Sequence, residues 1–138
     1  MNHDDVQAWL DHYVEAWRTY DPRLIGDLFS DDVEYRFVPW DEPTRGRQAV
    51  VEAWLAHQDP PDSWQASWEP VALERDVAVT RGVSRYFEPD GSPRVTYHNV
   101  FVLRFDPYGR CASFTDWFMR EPGPEPEGSA PDEDEPAA

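Results

Sequence analysis

The sequence predicts an α+β domain, because two hydrophobic periods meet at one proline-rich break. Before Asp59-Pro60-Pro61-Asp62, apolar residues recur every three to four positions; after it they recur at every second position. The second half is punctuated by Arg75-Asp76, Glu88-Pro89-Asp90-Gly91 and Asp106-Pro107-Tyr108-Gly109, the chemistry of tight turns. Three helices and then a four-strand meander, with one strand set early, is the layout that results.

Val6, Trp9, Leu10, Tyr13, Val14 and Trp17 define an amphipathic helix over residues 5–19, with Asp4 and Asp5 suited to its first turn. Asp21 and Pro22 supply an N-cap and a first-turn proline for a short second helix carrying Leu24, Ile25, Leu28 and Phe29. Ser30-Asp31-Asp32 breaks it, and Val33, Tyr35 and Phe37 alternate into a strand over 33–38. The segment Pro39-Trp40-Asp41-Glu42-Pro43 reads as a loop, and Gly46 leads into a third helix over 47–57 that buries Val50, Val51, Trp54 and Leu55. Further strands are expected over 64–74, 77–87, 95–105 and 110–120.

A chain of 138 residues suits one domain. At that size about 70% of the unfolded surface can be buried, so the core needs neither a disulfide nor a metal. The single Cys111 has no disulfide partner and no ligand spacing around it, and His3, His12 and His57 lie scattered; no metal and no cofactor are expected. Polar Asn2, His3, Asp4 and Asp5 follow Met1, which speaks against a signal peptide or membrane span and, with one cysteine, for a cytoplasmic setting. Net charge is −16; residues 1–120 carry −9 of it, and seven acids with no base follow Arg120. A net-acidic domain repels phosphate backbones, which excludes nucleic acid as the natural partner. Residues 121–138 hold no large apolar side chain and are expected to form a disordered acidic tail beyond a domain at 1–120.

Tyr13-Val14-Glu15-Ala16-Trp17, Asp21 and Leu28-Phe29-Ser30-Asp31-Asp32-Val33 resemble the opening of ketosteroid isomerases and SnoaL-like cyclases. Gly46-Arg47-Gln48-Ala49-Val50 resembles their entry to the third helix, and Asp106-Pro107-Tyr108-Gly109-Arg110 through Asp116-Trp117-Phe118 their last hairpin. Over residues 5–120 the chain is similar to the nuclear transport factor 2-like (cystatin-like) superfamily. The resemblance implies a cone: a curved antiparallel sheet wrapped around three N-terminal helices, with a ligand pocket between them. Strand alternation then turns Tyr35, Phe37, Ser84, Tyr86, Asn99, Phe101, Asp116 and Phe118 inward. Tyr13 and Trp17 would form the helical wall, Trp54 the floor and Trp40 a flap at the mouth. The opposite face carries Val83, Phe87, Val100, Val102, Trp117 and His98, and Cys111 should face outward as well. In this superfamily such a face often holds a homodimer together.

The resemblance also sorts the chemistry. An isomerase needs a carboxylate base and a tyrosine–carboxylic acid oxyanion site. Tyr13 matches the tyrosine, but the base falls on Phe37 and the second acid near Phe101. An epoxide hydrolase of the limonene type needs two aspartates bridged by an arginine. Asp116 and Tyr35 match, whereas the other aspartate and the arginine fall on Ser84 and Gly82, with Arg81 one residue away and on the opposite face. A SnoaL-type cyclase, or another reaction using one acid in an apolar cavity, needs only Asp116, with Asn99 as a hydrogen-bonding neighbour. Two functions stand open: a cofactor-independent lyase, isomerase or cyclase using Asp116 and Tyr13 on a small apolar molecule, and a non-catalytic ligand-binding or dimeric interaction module in which Asp116 is held structurally by Tyr13, Tyr35 or Asn99.

Overall fold

The computed structural model describes residues 1–123; the tail expected over 121–138 lies, from residue 124 onward, outside the described residues. Helix α1, His3–Thr19, starts with a capping box: the Asn2 side chain accepts from the Asp5 N–H and the Asp5 carboxylate from the Asn2 N–H, each at 2.9 Å. It ends where Tyr20 turns left-handed. Helix α2, Pro22–Asp27, is capped by Asp21, and α3, Arg47–Ala56, follows Gly46, whose φ of 92° is one that residues with a Cβ rarely adopt.

Strand β1 covers Phe29–Arg36 and so begins where a helix end was expected. The Cys111 N–H donates to Leu28 O at 2.8 Å, which captures the chain as soon as α2 ends. Ser30, Asp31 and Asp32 are absorbed as an irregularity, the register slipping between Phe29 and Glu34, rather than breaking the strand. The two-residue β2, Thr44–Arg45, pairs with β1 and is too short to carry a period. Strands β3, Trp64–Glu74, and β4, Val77–Phe87, have the expected bounds; β5 is Pro93–Phe105 and β6 is Cys111–Arg120.

The six strands form one curled sheet in the order β2-β1-β6-β5-β4-β3. All pairs are antiparallel except β1 with β6, so the sheet is mixed rather than wholly antiparallel. Parallel neighbours require a long connection; α3 and the meander provide it, and periodicity carries no sign of strand direction.

The inner face packs on α1 through an aromatic core centred on Tyr13. Its ring lies 5.2 Å from Trp54, 5.6 Å from Trp68, 5.5 Å from Phe101 and 5.7 Å from Phe114. Gly82 makes room for this arrangement, since a Cβ there would sit 2.0 Å from Ser67 O and 2.3 Å from the Trp68 indole. On the outer face Val100 and Val102 are partly exposed, Trp117 is 52% exposed and Met119 75%. Cys111 departs from expectation and is buried: between the pairs Arg104–Ser113 and Phe105–Cys111 the residue Ala112 is extra, which shifts the parity of β6 and turns Cys111 inward, and burial pushes its thiol up to about 12.

Candidate functional site

Asp116 lies on β6 opposite Phe101 of β5, its residue only 1% exposed. The Asn99 amide, on β5 one inward step away, donates from Nδ2 to both carboxyl oxygens at 3.2 and 3.3 Å. Behind it, on β4, the Ser84 hydroxyl donates to Asn99 Oδ1 at 2.9 Å. Three neighbouring strands thus contribute one buried polar group each, because their inward positions are in step. Burial pushes the Asp116 carboxyl up to about 8, and only the Asn99 hydrogen bonds oppose it. The shift favours the neutral carboxylic acid here at pH 7.

Two tyrosines face this acid from other elements. Burial holds the hydroxyls of Tyr13 on α1 and Tyr35 on β1 well above the usual phenol range, and Asp116 adds to the effect on each. Both therefore stay protonated near neutrality. The Tyr35 hydroxyl makes no hydrogen bond of good geometry, although the Tyr13 hydroxyl and Trp54 indole lie close enough to act on it. Trp54 Nε1, Trp68 Nε1 and Thr80 Oγ1 are likewise buried without a hydrogen-bond partner among the described residues. A buried unpaired donor costs about 1–3 kcal/mol, which a water or ligand oxygen can recover.

The remaining expected residues separate into two groups. Trp17 lies 6.0 Å from Tyr86 and stacks on Trp64 at 3.5 Å. Phe37 rests on Tyr35 at 4.8 Å and Phe118 on Tyr97 at 5.3 Å, both rings only partly buried. Trp40 is 81% exposed and lines a groove of about 1070 Å³ that is bounded by outer-face Val100, Trp117 and Met119 and also by Trp68, Asn99 and Phe118. The turn closed by Asp41 N–H to Val38 O carries it out of the strand's alternation. His98 faces outward as expected and pairs with Glu121 at 2.7 Å.

Sequence reasoning passed over Trp68, Phe114 and Tyr97, which the same two-residue step from Trp64, Asp116 and Asn99 would have added. It also passed over Asp59, whose carboxylate accepts from the Trp17 indole at 3.0 Å and whose N–H donates to the Tyr20 hydroxyl at 2.8 Å. That contact pins the α3–β3 loop to α1, and no local pattern announces it. Among the described residues no three His, Cys, Asp or Glu side chains gather as a metal site, and no helix is long and apolar enough to cross a membrane.

Residues 10–114 match the family model described as the SnoaL-like domain. Among solved structures, an NTF2-like protein of unknown function from Cytophaga hutchinsonii superposes with a TM-score of 0.60 at 14% identity, covering 82% of this chain and 98% of its own. That likeness is one of fold. No curated protein matches the chain in sequence.

Proposed function

Because the chain belongs to the SnoaL-like domain family, we propose that its cone binds a small, largely apolar molecule bearing an acceptor oxygen, on which Asp116 acts as general acid. The observation that carries this is the Asp116 carboxyl itself, fully buried, hydrogen-bonded by the Asn99 amide and pushed up to about 8 by its burial. A general acid must hold its proton at working pH and release it to a group that gains charge in the transition state. An acid pushed up to about 8 does the first, and the protonated Tyr13–Tyr35 pair nearby would favour the second by offering a proton toward developing charge. The reaction class is a lyase, isomerase or cyclase step that requires no cofactor.

The neighbouring chemistries are less well supported. Isomerisation lacks its base, since Phe37 and Phe101 stand where the resemblance would put acids. Push–pull epoxide opening lacks its second acid and bridging cation: Ser84 is bonded to Asn99, and Arg81 turns to the outer face and pairs with Glu69 at 3.2 Å. A non-catalytic ligand carrier is the second reading, favoured by Phe37 and Phe101 standing where the resemblance would put catalytic acids. For entry, the partly buried Phe37 and Phe118 rings are the natural point of yielding. On the outer face, exposed Trp117, Met119 and Val100 suit a second copy of this chain.

A panel of cyclic ketones, enones and epoxides, read by tryptophan fluorescence and by mass spectrometry, tests both readings. Binding with a transformed product, lost in Asp116→Asn, supports the enzyme. Binding with unaltered ligand supports the carrier. Absence of any quenching across the panel argues against the interior as a ligand site.

A further inference from the structure

Two buried polar groups lie in the interior on the strands farthest from Asp116. The indole Nε1 of Trp68 on β3 and the hydroxyl of Thr80 on β4 have no hydrogen-bond partner among the described residues, although Trp68 is 5% exposed and Thr80 0%. In the register Trp68 faces Gly82 and Pro70 faces Thr80, so Trp68 and Thr80 are diagonal neighbours on the inner face. The Trp68 ring leans over β4: its Cδ1, the carbon bonded to Nε1, occupies the space that a Cβ at Gly82 would need. The ring also lies 4.9 Å from Phe101, the residue opposite Thr80 on β5. The nitrogen edge of the indole is thus carried over the strand that holds Thr80.

Both groups cost free energy where they stand, and valine would fill the Thr80 position without that cost. The indole fixes the chemistry that could relieve them, because it only donates: it takes a lone pair and never a cation. The threonine hydroxyl adapts and can donate to the same atom. Asp116, Phe101 and Thr80 form one inward row across β6, β5 and β4, so Phe101 separates the pair from the acid. Two strand spacings put the ends of that row about 10 Å apart at the backbone. The interior therefore presents a polar group at each end of an apolar ring.

We propose that Trp68 and Thr80 form a second oxygen subsite: they hold a carbonyl, ether or hydroxyl oxygen of the ligand whose other oxygen meets Asp116, with its apolar frame along Phe101. The subsite rests on the reading of the interior as a ligand site, and it narrows the ligand to a molecule with an acceptor oxygen at each end.

The test uses the dione of bicyclohexyl with one carbonyl at each far end, and the matching monoketone, each titrated into full-length protein and followed by tryptophan fluorescence. Native protein should bind the dione about tenfold more tightly, since the monoketone leaves both buried donors unpaired. Thr80→Val and Trp68→Phe should each reduce that preference to about twofold or less, and Thr80→Ser, which keeps the hydroxyl, should retain it. Without ligand, Thr80→Val should melt no lower than native protein, because the hydroxyl it removes has no partner to lose. A lower melting point together with an unchanged dione preference would make Thr80 a structural group and overturn the subsite. Equal binding of the two ketones by native protein overturns it as well, and is the outcome if the two groups serve only an ordered water. If neither ketone binds, the ligand reading of the interior falls and the subsite with it. If the dione preference responds as stated but no product forms, the subsite stands and the general-acid role alone falls.

Discussion

Replacing Asp116 by Asn should stabilise the protein at neutral pH and barely alter it under acid conditions. The reason is linkage. An aspartate that is free in the unfolded chain titrates near 3.8, whereas burial moves the folded-state value to about 8. Between those values the folded protein holds a proton that the unfolded chain has released, so stability falls as pH rises; below 3.8 the two states bind equally and above 8 the loss is complete. This is the reverse of a salt-bridged aspartate, whose contribution disappears on acidification. Over the window from 3.8 to 7 the penalty reaches about 4 kcal/mol, undiminished by solvent because the group is 1% exposed. Asparagine keeps the shape and an acceptor for Asn99 Nδ2 but cannot ionise. Its added amide protons cost a constant amount, which cancels when the gap between the two proteins is followed against pH. Urea unfolding monitored by tryptophan fluorescence from pH 4.5 to 7.5 measures that gap, and the other carboxylates are common to both proteins. The gap should widen in favour of Asp116→Asn by more than 1 kcal/mol per pH unit. Parallel stability curves would refute a buried neutral acid.

Four further outcomes follow from named contacts. For any substrate found, turnover should decline above about pH 8 as Asp116 ionises, and Asp116→Asn should lower it by about 10²–10⁴-fold, read by steady-state kinetics across pH. Gly82→Ala should destabilise by about 3 kcal/mol in urea unfolding, since its Cβ meets the fixed backbone oxygen of Ser67 at 2.0 Å and cannot be relieved by moving Trp68 alone. Asp59→Ala should cost about 1–3 kcal/mol and lower the melting temperature, because the buried Trp17 indole loses its acceptor. Trp117→Glu should convert a dimer to a monomer in analytical ultracentrifugation; a monomeric native protein would remove the outer-face proposal.

Much of the fold was legible because its signals are local. The turn at Arg75-Asp76 set the facing bounds of β3 and β4, and the step of three and four placed Val6, Trp9 and Tyr13 in the core. What escaped depends on contacts distant in sequence. Strand β1 starts at Phe29 because β6 offers Cys111 N–H to Leu28, a contact that the polar run Ser30-Asp31-Asp32 after it conceals. Cys111 is inside because of an irregularity opposite Phe105, and one added residue inverts every prediction from alternation. In the site, alternation alone brought Ser84, Asn99 and Asp116 to one face, yet their order as a chain of hydrogen bonds required the register.

The most direct test is the protonation state of Asp116 itself, read as the infrared difference between native protein and Asp116→Asn at pH 6.5. A neutral carboxylic acid band that converts to carboxylate only as the pH passes about 8 is the expected result. A carboxylate band already complete at pH 6.5 would contradict it, and with it the general-acid role.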